Sequence, residues 1–208
     1  MNRRTLAALG AGLLAAGCLA PQPAPRVVFY ALQPERTAPV LAPLGADALY
    51  VGRVRVAPLV EGKGFVYRTG ESAFEADFYH RFAAPPGALV REALIDWLGR
   101  SGLFSEVWGQ GSPERARWRL EARVTALHAD LRDPAAPRAV LEMGLALVDA
   151  HAPAQEARLR ERHRAEVPTS ADPAALAEAW TRGLAQVLAE AEDALRAALG
   201  AAPSDRPY

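Results

Sequence analysis

The sequence predicts a two-layer α+β domain, in which an antiparallel sheet packs about two amphipathic helices on one face. Three observations support this class. Three consecutive runs in the second half of the chain alternate apolar and polar residues with a period of two. Two other runs repeat apolar residues at the helical spacing of three to four positions. Half of all residues are apolar, which is enough for a core in one domain over residues 27–200.

The alternating runs lie at residues 118–126, 141–147 and 157–167. Turn signals at Asp133-Pro134 and near His151 separate them. A strand with alternating residues buries one face and leaves the other in water. The three runs therefore predict an antiparallel meander.

The first half of the chain is predicted to add shorter strands, bounded by glycine and proline. They cover residues 27–32, 49–59, 65–68, 74–82 and 104–108. In the second of these, Val54 and Val56 are expected on one face, and Arg53 and Arg55 on the other. Residues 35–47 and 110–115 are predicted loops.

Two helices are predicted. The first opens at Pro85-Pro86-Gly87, runs for about 15 residues and ends at Gly102. The second is capped by Asp172-Pro173 and runs to about Leu199. The expected core-facing residues of the two helices are Val90, Leu94, Trp97, Leu98, Leu176, Trp180, Leu184, Val187, Leu188, Ala191 and Leu195. Residues 201–208 are polar and contain proline, and are predicted to be disordered.

The N-terminal segment has the layout of a bacterial lipoprotein signal peptide. Arg3 and Arg4 precede an apolar stretch, which ends in small residues before Cys18, the only cysteine. The stretch of about 12 residues would span roughly 18 Å as a helix, less than the about 30 Å of a bilayer core. We therefore expect cleavage after residue 17 and a covalent lipid on Cys18.

The mature chain would begin with a proline-rich tether at residues 18–26, which reaches about 25 Å in extended polyproline geometry. Leu19, rather than aspartate, follows the cysteine, which favours the periplasmic face of the outer membrane. Without Arg3 and Arg4 the formal charge is about −2, which argues against nucleic acid as a partner. No intrachain disulfide is possible.

No catalytic or metal-binding motif stands out. The histidines His80, His128, His151 and His163 have no ligand spacing, and the nucleophile-elbow, P-loop and dinucleotide motifs are absent from the sequence. Asp77 and His80 could form an acid–base pair, but residues three apart in a regular strand face opposite sides. We expect neither an enzyme nor a bound cofactor or metal.

Residues 65–82 hold much of the aromatic content of the chain. On a regular strand Phe74, Phe78 and Phe82 would share one face, and Tyr79 and Arg81 the other. One interpretation is a core layer with a half-exposed tyrosine. The other is an edge that contacts a partner or lipid, because aromatic residues with arginine are favoured at interfaces. Its candidate contact residues are Tyr67, Arg68, Phe78, Tyr79, Arg81 and Phe82.

The arginines at 158, 160, 162 and 164 also allow two interpretations. They could form a docking face for lipid head groups or for an acidic partner. Alternatively, they keep a solvated strand from pairing at its edge. Lys63 is the only lysine against 23 arginines, so arginine is the default basic residue of this chain.

The sequence resembles the ABC-type transport auxiliary lipoproteins of the PqiC/YmbA type over nearly the whole mature chain. The segments that carry the resemblance are Phe29–Leu32, Val51–Pro58, Tyr67-Arg68, Phe78–Pro86, Leu94–Leu98 and Gly102–Phe104. None of them is a catalytic motif.

The resemblance implies a non-catalytic partner of an ABC permease, its ATPase and a mammalian-cell-entry (MCE) domain protein. Such systems move phospholipid or other hydrophobic molecules between membranes, and the lipoprotein would dock the periplasmic assembly to the outer membrane. The resemblance also implies a possible ring of identical subunits. Two alternatives stay open: an assembly lipoprotein for lipopolysaccharide or outer-membrane protein insertion, and a surface hydrolase that uses Asp77 and His80.

Overall fold

The computed structural model describes residues 26–39, 47–152 and 156–200. Nine strands lie within these ranges: β1 (Val28–Tyr30), β2 (Leu49–Val51), β3 (Arg55–Val56), β4 (Gly64–Arg68), β5 (Phe74–Phe82), β6 (Val107–Trp108), β7 (Trp118–Asp130), β8 (Arg138–Asp149) and β9 (Ala157–Pro168). The two α-helices of the described part are α1 (Pro86–Gly99) and α2 (Pro173–Gly200). Short 3₁₀ turns cover Pro58–Val60 and Pro113–Arg115. The predicted signal peptide, the lipidated cysteine, most of the tether and the tail lie outside the described residues.

All nine strands of the described part belong to one sheet, which is organised around β7. On one edge β7 pairs antiparallel with β8, which pairs antiparallel with β9. On its other edge β2, β3 and β4 lie in turn, all parallel to β7. The sheet continues from β4 to β5 and then to β1, while β6 adds beside β2.

The predicted α+β class and the β7–β8–β9 meander are confirmed. The sheet differs from the predicted antiparallel one because it is mixed. At 13 residues, β7 is long enough for three short strands to share one edge. The chain between residues 49 and 68 runs beside β7 in the same direction, which makes these pairings parallel.

The run at 49–59, predicted as one strand, is divided into β2 and β3 and followed by a 3₁₀ turn. Both strands nevertheless follow β7, since Gly52 N–H donates to Leu120 O at 2.9 Å. Ala57 N–H donates to Val124 O, also at 2.9 Å. Val54 is buried and Val56 packs against the core, whereas Arg53 and Arg55 are exposed, as predicted.

Both predicted helices are confirmed, and they cover the same face of the sheet. Asp172 caps α2, because its Oδ1 accepts the N–H groups of Ala174 and Ala175 at 3.0 Å. Helix α2 packs over β8 and β9, and α1 packs over β2, β3 and β6. The Trp180 ring of α2 lies between the layers, 4.8 Å from Phe65 and 5.5 Å from Phe82 between ring centroids.

A large bulge interrupts β5. Gly64 of β4 is opposite Arg81, and Val66 is opposite Ala76, so two steps along β4 match five along β5. The three extra residues break the alternation of side chains. The prediction that Phe74, Phe78 and Phe82 share a face is therefore wrong: Phe78 is 69% exposed, whereas Phe82 is 2% exposed.

A buried carboxylate connects the two helices to the segment after β1. Glu192 of α2 is 7% exposed and forms two hydrogen bonds with the Arg36 guanidinium, both of 2.8 Å. Trp97 Nε1 of α1 donates to the same carboxylate at 2.9 Å, and Arg196 donates at 3.2 Å. Burial alone would raise the pKa of Glu192, but the hydrogen bonds and charge of Arg36, helped by Arg196 and Trp97, hold it below its usual range.

Gly64→Ala should destabilise the protein, because a Cβ at this position would lie 2.4 Å from the carbonyl oxygen of Asp77 in the bulge. We expect a loss of about 1–3 kcal/mol in the free energy of unfolding, which urea titration measures. Gly62→Ala is the matched control, since a Cβ there meets nothing within 4 Å. Equal stability of the two variants would contradict the bulge.

Glu192→Gln should lower the free energy of unfolding by about 3–5 kcal/mol at neutral pH, because it leaves the charge of Arg36 buried without its partner. Glu190→Gln on the same helix is the control, since Glu190 is exposed and its carboxylate contacts Gln186 and His163 rather than a buried guanidinium. Chemical denaturation of both variants measures the difference.

The pH dependence of stability gives a second readout. The folded-state pKa of Glu192 lies below its unfolded value, so its contribution is complete above about pH 4.3 and is lost as the pH falls further. The wild-type stability should therefore fall more steeply below pH 4.3 than that of Glu192→Gln. If the free energies of unfolding of wild type and Glu192→Gln fell in parallel with pH, the Glu192–Arg36 pair would not be stabilising the fold.

Candidate functional site: an aromatic tip

Three exposed aromatic residues lie at one end of the β1–β5 edge, and we call them the aromatic tip. Phe78 is 69% exposed, Phe29 is 59% exposed and Tyr79 is 40% exposed. The Phe78 and Tyr79 rings meet edge to face, with their centroids 5.3 Å apart. Val27 and Val28 are also exposed. Exposed apolar patches are candidates for interaction sites on a soluble domain.

The tip lies where the chain enters the fold. β1 and β5 are parallel, with Val28 opposite His80 and Phe29 opposite Arg81. The residues that precede β1 therefore arrive beside Phe78 and Tyr79, the residues that precede His80. Cys18 is ten positions before Val28 in the sequence.

The carboxylate of Asp77 holds the bulge in shape. Its Oδ1 accepts the backbone N–H groups of Tyr79 at 2.7 Å and His80 at 3.0 Å. Its Oδ2 accepts the Tyr67 hydroxyl at 2.7 Å and lies 2.7 Å from His80 Nδ1. These four contacts orient the tip although Phe78 and Tyr79 bury little surface themselves.

The electrostatics of this cluster favour an ionised aspartate. Burial alone would raise the pKa of Asp77, but the hydrogen bonds from Tyr67, His80 and Tyr79 lower it to about 2. The pKa of Tyr67 is raised by burial first and then by its hydrogen bond to Asp77, so the tyrosine stays neutral and donates.

The contact between Asp77 and His80 corrects the sequence analysis, which expected these residues on opposite faces of a strand. Because the bulge makes this stretch turn back on itself, residues three apart meet on the same side. The contact gives His80 an oriented ring, yet the aspartate also serves Tyr67 and two backbone groups. The Asp77 carboxylate therefore has a structural role. Together with Tyr67, Tyr79 and His80 it holds the bulge in one conformation, and we call these four residues the clasp.

The other predicted contact residues occupy different environments. Arg68 donates to the carbonyl oxygens of Gly70 at 3.3 Å and Glu71 at 2.8 Å, so it closes the β4–β5 turn. Arg81 is partly exposed on β5 beside Phe29. Tyr67 is half-buried in the clasp. Phe82 belongs to the core and is not accessible to a partner in this fold.

Sequence reasoning missed Phe29 as a contact candidate and assigned it only to the first strand. Its exposure follows from the position of β1 at the edge of the sheet, outside β5. The one sequence signal is the unbroken run Val27–Tyr30, which has no polar residue for the solvated face.

The histidines outside the clasp are separate from one another. His128 is buried against Phe74, and burial lowers its pKa. His163 lies 3.3 Å from Glu190, and His151 is in an exposed turn. Among the described residues, no group of three or more His, Cys, Asp or Glu side chains could hold a metal ion. No helix in the described part is long and apolar enough to span a membrane.

The mixed sheet with two helices on one face defines an α+β domain. The family model for the ABC-type transport auxiliary lipoprotein component matches residues 30–191. The chain therefore belongs to this family. No curated protein matches the sequence.

Solved structures share the fold at low sequence identity. XCC0632 from Xanthomonas campestris, a DUF330 protein, is 20% identical with a TM-score of 0.71, over 80% of this chain and 93% of that one. An uncharacterized protein is also 20% identical, with a TM-score of 0.63 over 81% and 97% of the two chains. The hypothetical protein CT253 from Chlamydia trachomatis is 13% identical, with a TM-score of 0.50 over 74% and 99%. At these identities the likeness concerns the fold alone.

Asp77→Ala should loosen the tip, because it removes all four contacts of the clasp. We expect the amide protons of Tyr79 and His80 to exchange faster by an amount equivalent to roughly 1–3 kcal/mol of local opening. Hydrogen exchange by mass spectrometry or NMR measures this. Glu75→Ala is the control, since Glu75 is exposed on the same strand and its side chain has no hydrogen bond or ion pair among the described residues.

The clasp should also respond to pH in a defined direction. The folded-state pKa of Asp77 is about 2, below the ordinary value of about 3.9, so its protection is complete above pH 4 and is lost as the pH falls towards 2. Unchanged exchange at Tyr79 and His80 in Asp77→Ala would show that something else orders the tip.

Proposed function

We propose that this protein is a lipid-anchored, non-catalytic component of an ABC transport system of the MCE type. It would be anchored at the periplasmic face of the outer membrane through Cys18 and would dock the periplasmic part of the transporter there. The transported molecule would be a phospholipid or a similar hydrophobic compound. ATP hydrolysis would belong to the partner ATPase.

Membership of the transport auxiliary family carries this proposal, because it links the chain to an ABC system. The position of the aromatic tip gives independent support. Under the proposal, an anchor that precedes Val28 would bring Phe78 and Tyr79 close to the membrane, since the chain enters the fold beside them. Aromatic side chains with nearby arginine suit contacts at a membrane–water boundary or with a partner held there.

A non-catalytic role agrees with the chemistry of the Asp77–His80 contact. The aspartate is shared among four hydrogen-bonding groups, so the geometry around it favours a fixed loop over proton transfer. An assembly lipoprotein for lipopolysaccharide or outer-membrane proteins would use the same anchor and tip. The identity of the partner at the tip distinguishes the two functions.

A photo-crosslinking residue at Phe78, introduced into the full chain in cells, should capture an MCE-domain protein. The same residue at Glu178, an exposed position on α2, is the control and should not. Mass spectrometry of the adducts identifies the partner.

Three results at Phe78 would separate the alternatives. Adducts with phospholipid alone would show that the tip lies in the bilayer and would leave docking to another surface. Adducts with a barrel-assembly protein would support the alternative function. No adduct with envelope protein or lipid, in a correctly anchored chain, would refute a contact role for the tip.

A further inference from the structure

A second surface lies on the face of the sheet opposite the helices. A depression of about 440 Å³ opens there between β7 and β9, and we call it the arginine depression. Its lining includes four arginines, Arg55, Arg123, Arg160 and Arg162, and two glutamates, Glu121 and Glu161. The lining therefore carries an excess of positive charge, although the chain as a whole has no formal net charge.

The strand register explains how the arginines come together. Arg55 of β3 is directly opposite Arg123 of β7, which is opposite Gly144 of β8, which is opposite Arg162 of β9. Arg160 lies in the adjacent row, opposite Ala146. Like charges directly opposite one another destabilise a sheet. The Arg55–Arg123 pair is therefore an arrangement that folding alone does not favour.

The carboxylates nearby neutralise only part of this charge. Arg55 lies 3.6 Å from Glu121, and Arg162 lies 3.8 Å from Glu142, which is more closely engaged by Arg164 at 3.1 Å. Within the described ranges Arg123 and Arg160 form neither an ion pair nor a side-chain hydrogen bond. Two guanidinium groups are thus available at the rim of the depression.

Gly144 forms the floor, and packing does not require a glycine there. A Cβ on Gly144 would meet only the carbonyl oxygen of Glu161, at 3.8 Å, which is an ordinary van der Waals contact. Glycine inside a strand weakens it and often marks a site where a ligand approaches the backbone. A row of arginines interrupted by an open position leaves room for a compact anion.

We propose that the arginine depression binds the phosphate head group of an anionic phospholipid. An arginine guanidinium group can donate two parallel hydrogen bonds to the oxygens of one phosphate. The depression, of about 440 Å³, is large enough for a phospholipid head group. The choice of a lipid as the source of the phosphate rests on the proposed function, whereas the anion site itself rests on the register and the unpaired arginines.

The test measures binding of soluble short-chain lipids to the mature, lipidated full chain in detergent. The probes are dihexanoyl phosphatidylglycerol, dihexanoyl phosphatidylcholine and inorganic phosphate, titrated by calorimetry at low and high salt. The wild type should bind the anionic lipid, bind the zwitterionic lipid more weakly, and lose affinity as salt is raised.

Two variants probe charge and space separately. Arg123→Gln with Arg160→Gln should weaken binding of phosphatidylglycerol by roughly tenfold or more, since it removes charged hydrogen-bond donors without breaking an internal ion pair. Arg115→Gln with Arg182→Gln is the control, because both arginines are exposed elsewhere and the change in net charge is the same. Gly144→Val keeps every arginine, fills the floor and should weaken binding to a similar extent in a strand that is at least as stable.

Each other outcome would overturn the proposal. Equal affinity in wild type and both depression variants would show that the lipid binds elsewhere. Inorganic phosphate binding as tightly as the lipid would assign the site to a free anion. No binding of any of the three probes by the wild type would show that the depression is not an anion site. Capture of an MCE protein at Phe78 is independent of these results, so failure of the lipid site and failure of the proposed function are distinguishable.

Discussion

The fold depends on one buried charge. Glu192 is buried, and a buried carboxylate is costly unless it is paired; here Arg36, Trp97 and Arg196 donate hydrogen bonds to it. These three partners come from the segment after β1, from α1 and from α2. The ion pair therefore fixes the angle between the helices and also fixes the chain that leaves β1. Apolar packing alone, which has no direction, would not set either of them uniquely.

This constraint reaches the aromatic tip through β1. Three residues of β1 pair with β5, and the segment that follows is held by Arg36 at the helical layer. With β1 fixed, the entry of the chain stays beside the bulge, and the Asp77 clasp sets the direction of Phe78 and Tyr79. Phe78 and Tyr79 bury little apolar surface, so the tip is ordered mainly by two hydrogen-bonding networks, one around Asp77 and one around Glu192. Both networks depend on groups whose pKa values keep them charged near neutral pH.

The sequence alone predicted those features that depend on residues close together along the chain. The period of two in β7, β8 and β9, the apolar stripes of both helices and the Asp172 cap each depend on neighbouring residues, and all were predicted. The parallel pairings of β7 and the bulge in β5 were not predicted. Five residue steps along β5 match two along β4, and this register depends on which strand lies alongside. It brings the side chains of Asp77 and His80 into contact and leaves Phe78 exposed while Phe82 is buried. Gly64, which directly precedes the predicted strand at residues 65–68, was the available signal for an irregular pairing.

The two proposed contact surfaces use different parts of the same sheet. The tip belongs to β1 and β5 at one edge, whereas the arginine depression lies across β3, β7, β8 and β9. The tip residues and the lining of the depression have no residue in common, so occupation of one surface does not block the other. They also differ in chemistry, since the tip is apolar and the depression is basic. Strand β7 pairs with both β4 and β8, so the two surfaces belong to one hydrogen-bonded sheet. Under the two proposals, this one sheet would carry both a membrane-side contact and a site for a phosphate-bearing ligand.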